Sequence, residues 1–183
     1  MEREAALAEL KKHVKNKNLL KHMYACEAVM RKLAGHFGED ADKWGLAGLL
    51  HDIDYDETKD DPLRHSKVGA EMLQKLGLPE DIVYAVKVHN SAHGLPRESL
   101  MDKALYATDP VTGLIVAGAL IRPQKKLAAV DVPFLVNRFN EKSFARGANR
   151  EQIACCAELD MELEEFLSIS LEAMQDSSRE LGL

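Results

Sequence analysis

Aromatic residues are scarce in this sequence, at 5% of the chain. That leaves little material for the stacked platforms on which proteins bind unpaired bases. An excess of basic charge is missing too. Lys and Arg number 24 against 30 Asp and Glu, a net charge of -6, so there is no strong electrostatic signal for nucleic acid. Only three cysteines occur, Cys26, Cys155 and Cys156, and none forms a CxxC pair. An odd number without a secretory segment argues for free thiols and a reducing, cytoplasmic setting. The opening Met1-Glu2-Arg3-Glu4 is charged, which is not the start of a signal peptide. The longest apolar run, Val111 to Ile121, is broken by glycines and falls short of the roughly 20 residues that span a bilayer, so no membrane partner is expected. P-loop and GxGxxG motifs are absent, which removes the nucleotide folds built on them. No stretch alternates with period two, and no repeat or long linker interrupts the chain, so a sheet is not expected.

What remains is a chain of 183 residues, 46% hydrophobic, enough for one domain with a real core. Its patterning is helical throughout. Glu2 to His13 is rich in Ala, Leu, Glu and Lys, with a narrow apolar stripe that suits a peripheral helix. Asn18 is a candidate cap for the next helix, in which Leu19, His22, Met23, Cys26, Val29, Met30 and Leu33 recur at steps of three and four. Glu39 or Asp40 starts a third, carrying Trp44 to Leu50 up to His51-Asp52. Asp54 to Pro62 reads as an acidic loop. Helix resumes from about Leu63 to Leu76, then from Pro79 to the region of His89. Ser99 to Thr108 reads as a short helix, and Asp109-Pro110 as the start of another ending at Arg122-Pro123. A short helix at Val132 to Phe139, a polar stretch to Arg150, and closing helices at Glu151 to Glu158 and Met161 to Arg179 complete an all-α bundle.

The chain is organised around Gly45-Leu-Ala-Gly48-Leu-Leu-His51-Asp52-Ile-Asp54. A buried run that ends in adjacent imidazole and carboxylate groups needs partners for both, because burying either alone is costly. Metal coordination supplies them. Of the seven histidines, His22, His51, His65 and His89 fall at or near apolar helical stripes. One such histidine is usually a satisfied core residue; four beside an Asp suit a metal site better than simple packing. Adjacent residues on a helix differ by about 100°, so His51 and Asp52 share an ion only with help from another helix. His22 and Asp109 are the natural candidates, and Asp109 also reads simply as an N-cap before Pro110.

The ordered set His22, His51-Asp52 and Asp109 resembles the HD superfamily of metal-dependent phosphohydrolases. Gly48-Leu-Leu-His-Asp-Ile-Asp54 is similar to its signature. His65-Ser-Lys-Val-Gly-Ala70 and Val88-His-Asn90 are similar to the segments that supply further histidines in two-metal members. The resemblance implies an all-α, single-domain helical bundle of the HD type over residues 1–183, with a metal site in the bundle core. The core motifs fall in 18–121, and C-terminal helices in 126–180 pack on or cover the site. It implies that His22, His51, Asp52 and Asp109 bind one divalent transition ion (Mn, Fe, Co, Zn or Ni), and that His65 and His89 complete a second ion bridged by Asp52. The Gly-Tyr-Pro motif and doubled histidine of the HD-GYP cyclic-dinucleotide phosphodiesterases are absent: His89 is followed by Asn90, and Gly94-Leu95-Pro96 stands in that region.

On this reading Asp52, Asp54 and His65 form the catalytic set. Asp54 has two candidate roles, holding the attacking water or holding a histidine. Arg64, Lys67, Arg122 and Arg146 are the candidate phosphate-binding cations, and Phe144-Ala-Arg-Gly147 is a loop able to fold over the site. The expected activity is hydrolysis of a phosphomonoester or phosphodiester of a nucleotide or other small phosphorylated metabolite. Two alternatives stand beside it: a di-iron oxygenase of the same superfamily, and a non-catalytic nucleotide-sensing module. The Met161 to Arg179 helix offers a face either to the domain or to a second copy in a homodimer.

Overall fold

Several helices begin at a side chain that accepts backbone N–H groups left free in the first turn. Asn16, not Asn18, opens α2 (Lys17–Phe37) by accepting from the N–H groups of Asn18 and Leu19. Asp40 opens α3 (Ala41–Leu50) through the N–H groups of Asp42 and Lys43. Ser99 and Asp102 form a reciprocal capping box at the start of α7 (Leu100–Ile121). The computed structural model describes all 183 residues and is all-α. Its other helices are α1 (Arg3–His13), α4 (Tyr55–Thr58), α5 (Lys67–Lys75), α6 (Glu80–Val88), α8 (Val132–Asn140), α9 (Arg150–Ala154), α10 (Leu163–Asp176) and α11 (Ser178–Leu181). Short 3-10 turns at Ser91–His93, Leu127–Ala129 and Cys155–Leu159 link them.

The closest helix pair is α2 and α3, and glycine makes it possible. A Cβ on Gly48 would stand 2.7 Å from the carbonyl oxygen of Cys26. The small-residue run before His51 therefore lets α3 lie almost against the α2 backbone. That brings the end of α3 beside His22. Helix α7 forms the centre of the bundle, and nearly all of its residues from Met101 to Ala119 are buried or half-buried. Helix α10 contributes Phe166, Leu167, Leu171 and Met174 to the same core.

Several elements differ from the sequence reading: α4 lies inside the stretch read as an acidic loop from Asp54 to Pro62, and the closing helix read from Met161 to Arg179 is split into α10 and α11. Leu63 to Ser66 form turns, and α5 begins only at Lys67. The segment from His89 to Ala92 leaves the α-helix at Val88. Most consequential, the expected break at Asp109-Pro110 does not exist, because α7 runs unbroken through Pro110. Joined in this way, α7 is long and apolar enough to cross a membrane, but most of it is buried as the core helix of the bundle.

Proline at position 110 has no N–H for the carbonyl of Tyr106, four residues back. The side chain of Gln152 donates to that oxygen instead, at 2.8 Å. A donor from α9 thus repairs the ladder, and Asp109 sits in mid-helix rather than at a cap.

Candidate metal centre

Five segments deliver side chains to one point. His22 projects from α2, His51 and Asp52 follow the end of α3, His65 precedes α5, His89 follows α6, and Asp109 projects from α7. His51 and His89 are sealed from solvent, with 0% and 2% side-chain exposure, whereas His22 and Asp109 keep 25% and 31%. The cluster therefore has a closed back and an open front.

The distances divide it in two around Asp52. His22 Nε2 lies 3.2 Å from His51 Nε2 and 3.1 Å from Asp109 Oδ1. His51 Nε2 lies 3.6 Å from Asp52 Oδ2. The other oxygen of the same carboxylate, Asp52 Oδ1, is 3.3 Å from His65 Nε2 and 3.4 Å from His89 Nε2. Ligand atoms about 2.1 Å from a shared ion lie roughly 3.0–3.4 Å apart, so most of these separations match a coordination shell.

The ring orientations point the same way. His51 Nδ1 donates to the Gly48 carbonyl at 2.8 Å, and His89 Nδ1 to the Val86 carbonyl at 2.6 Å. A carbonyl only accepts, so in both rings Nδ1 carries the proton. Thr112 Oγ1 donates to the Asp109 carbonyl at 3.0 Å and is left to accept from His22 Nδ1, also at 3.0 Å. His65 Nδ1 faces Asp54 Oδ1 at 3.2 Å. All four rings thus turn Nε2 inward. His22 Nε2 and His51 Nε2 face each other as two acceptors unless a proton or a cation lies between them.

Electrostatics supply one or the other. Burial disfavours charge on His51, but Asp52 beside it, Cys26 and Asp109 opposite outweigh that and push its pKa up to about 10. Burial raises Asp52, and His51 and His89 overcome it, lowering it to about 2. His22 is held well above its ordinary value against burial, by Cys26 beside it on α2 and by Asp109. Asp109 falls well below its own, with His22 and His51 overcoming burial. The site attracts positive charge strongly.

Supporting contacts place Asp54 behind His65. Its side chain is fully buried and faces His65 with one oxygen while the other accepts from Ser66 N–H at 2.8 Å. It holds His65 and does not reach the open front. Ser66 adopts a left-handed φ of 67°, a turn that Asp54 helps to fix. His93 and Asn90 brace the same segment, 2.8 Å and 3.1 Å from the His65 carbonyl.

The candidate cations fare unevenly. Arg64 pairs with Glu57 at 2.8 Å on an exposed loop, and Lys67 is exposed beside it. Arg122 is not brought to the site. It stands 13 residues along α7 from Asp109, about 20 Å at helical rise, with its guanidinium 4.0 Å from the Phe134 ring and 3.7 Å from Asp131. Arg146 belongs to the loop whose Ala145, Gly147 and Ala148 border a cavity with His22 and Asp109. Sequence reasoning missed Gln152, whose amide reaches Asp109 Oδ2 at 3.5 Å as well as the Tyr106 carbonyl. The signal was available: proline inside a helix implies an orphan carbonyl four residues earlier. Arg150 was also missed as an organiser. It donates to the carbonyls of Arg138, Phe139, Phe144, Ala145 and Ala148, fixing the loop beside the site.

A helical bundle closing on converging imidazoles and carboxylates defines a class of metal-binding helical domains. A family model described as HD domain matches residues 19–119, and the chain belongs to the HD domain family, within the superfamily of metal-dependent phosphohydrolases. Proteins named Ribonuclease Y are similar to it. That of Desulfotalea psychrophila is 28% identical over 137 residues, covering 73% of this chain and 26% of the relative. The Lawsonia intracellularis protein is 31% identical over 96 residues, covering 52% and 18%. The Thermotoga petrophila protein is 28% identical over 141 residues, covering 73% and 27%. The chain therefore spans about a quarter or less of these curated relatives. No solved structure matches it.

Proposed function

We propose that this protein hydrolyses a phosphate ester of a nucleotide or other small phosphorylated metabolite at a centre of two divalent transition-metal ions. His22, His51, Asp52 Oδ2 and Asp109 would hold one ion. Asp52 Oδ1, His65 and His89 would hold the other. One observation carries the reading: the two oxygens of a single buried carboxylate face two separate sets of inward-turned imidazole nitrogens. The relatives named as ribonucleases favour a phosphodiester among the possible esters.

Ions held by these residues would supply charge neutralisation for the phosphoryl group and would lower the pKa of a bound water. The chain's own residues do the rest. His51 and His89, closed to solvent, anchor the back of the centre. His22, Asp109 and His65 border its open front, with 25%, 31% and 13% side-chain exposure, so the phosphate approaches along them. Asp54 keeps the His65 Nδ1 proton in place and thereby keeps Nε2 available. Thr112 does the same for His22.

The test is metal analysis of the purified protein with a screen of phosphomonoesters and phosphodiesters across nucleotides, for wild type and Asp52→Asn. The near-isosteric variant preserves shape and weakens both sets at once. Expected is metal-dependent hydrolysis in the wild type that falls by at least ~100-fold in the variant, the upper range for loss of a metal-site contact, with circular dichroism unchanged. An Asp52→Asn protein that keeps full metal content and activity defeats the assignment. So does iron-dependent oxygen uptake by the wild type without phosphate-ester cleavage.

A further inference from the structure

Three neighbouring cavities share lining residues, two of them along α7 and the third along the loop before α9. The middle one, about 380 Å³, lies over the open front of the centre and is bordered by His22, Asp109, Gly113 and Gly147. On one side it shares His22 and Gly113 with an apolar pocket of about 420 Å³, walled by Val116, Leu120 and Leu181. On the other it shares Gly147 and Ala148 with an open cavity of about 700 Å³ that carries Lys142 and Arg146.

Gly113 links two of these spaces. It lies in the interior of α7, where glycine costs about 1 kcal/mol relative to alanine. The usual reasons for glycine do not apply. Its φ is not positive, and a Cβ there meets nothing within 4 Å. Leaving it bare keeps the floor of the groove low beside His22. The far wall is also built. Arg150 spends its guanidinium on five backbone carbonyls of the loop, which includes Ala145 at a φ of 45°. That leaves Lys142 and Arg146 as the cations free to meet a ligand, and neither forms an ion pair within the protein. Glu151, also on the wall, is the one acidic residue there.

Resting on the phosphohydrolase reading, we propose that these spaces form one substrate groove for a short phosphodiester-linked nucleotide with a terminal phosphate. The reacting phosphodiester lies over His22 and Asp109. A base lies against Val116 and Leu120, and the second phosphate meets Lys142 and Arg146. Gly113 is the residue that admits the chain past His22. The occupant is short, because the protein is acidic overall and poor in the aromatics that a long strand would stack on.

Binding and turnover are measured separately, with 5′-phosphorylated diadenylate, unphosphorylated diadenylate and bis(p-nitrophenyl) phosphate. Variants are Gly113→Leu and Lys142→Glu with Arg146→Glu. Leucine is a better helix former than glycine, so thermal stability of Gly113→Leu should hold or rise, and weaker binding then reports a blocked groove. Expected is a loss of about tenfold or more in affinity for the phosphorylated dinucleotide in both variants. Binding of the small diester, which lacks both the base and the terminal phosphate, weakens less than that of the phosphorylated dinucleotide in both variants. The charge-reversed variant discriminates the terminal phosphate, and Gly113→Leu weakens both dinucleotides. Wild-type binding of the dinucleotide without any ester hydrolysis defeats the hydrolase reading and leaves the groove standing. Unchanged dinucleotide affinity in Gly113→Leu, or equal losses on all three probes, overturns the groove.

Discussion

Replacing Gln152 by Met should destabilise the protein, and replacing Pro110 by Ala should abolish most of that effect. Gln152 donates to the Tyr106 carbonyl at 2.8 Å, the oxygen that Pro110 leaves without a helical donor. Methionine keeps the length and bulk of the side chain and removes the donor. Leaving a mostly buried carbonyl unpaired costs about 1–3 kcal/mol. At this chain length each kcal/mol shifts the melting temperature by roughly 2–4 °C, so a central value near ~2 kcal/mol means ~4–8 °C. With Ala at 110, an N–H at the normal helical position serves Tyr106, and Gln152→Met should then cost no more than about 0.5 kcal/mol. Pro110→Ala alone should be stabilising, because interior proline disfavours a helix by about 3 kcal/mol. The assay is urea unfolding of all four proteins in a double-mutant cycle, with chelator present to remove ion effects. Coupling between the sites of about 1–2.5 kcal/mol is expected. If the two substitutions add within about 0.5 kcal/mol, the repair of α7 by Gln152 is wrong. The 3.5 Å contact of the same amide with Asp109 persists in either background. Divalent-ion affinity should therefore fall in both Gln152→Met proteins, by up to about tenfold.

Other expectations follow from the same contacts. His51 has a folded pKa raised from 6.5 to about 10, so its pairing stabilises the ion-free protein fully below pH 6.5 and less as pH rises to about 10. Asp52 is lowered from 3.8 to about 2, so its share is present above pH 3.8 and is lost on acidification towards pH 2. An ion must displace the imidazole protons. Melting curves with chelator should therefore decline between pH 6.5 and 10, while the increment from added Mn grows over that interval; an increment independent of pH would contradict the proton-ion competition. Gly48→Ala should lose about 3 kcal/mol or more in denaturant unfolding, above ordinary overpacking, because the Cβ meets backbone of α2 at 2.7 Å. A neutral Gly48→Ala would refute close helix approach as the reason for glycine. Arg150→Lys should quicken amide exchange across residues 139–148, since one ammonium cannot serve five carbonyls set around a fork; unchanged exchange there would remove Arg150 as the organiser of the loop.

Local pattern determined much of this protein. The three- and four-residue recurrence on α2, the Asp40 cap and the absence of period-two alternation specify helices from neighbouring residues alone. The His and Asp types, and their order along the chain, likewise identify a metal-binding chemistry before any fold is known. The same local rules failed at Asp109-Pro110. There the donor that keeps α7 continuous comes from a residue 46 positions from its acceptor, a distance at which propensity carries no information. They also overvalued Arg122, a residue near the motif in sequence and roughly 20 Å from it in space, because a helix converts thirteen residues into length. Tertiary structure alone decided how the ligand candidates are grouped. Asp52 presents its two oxygens to different histidine pairs only because Gly48 admits α3 against α2 while α6 and the turn at Ser66 bring His89 and His65 to the other side. Convergence of side chains from five segments is a property of packing, which one-dimensional spacing does not encode.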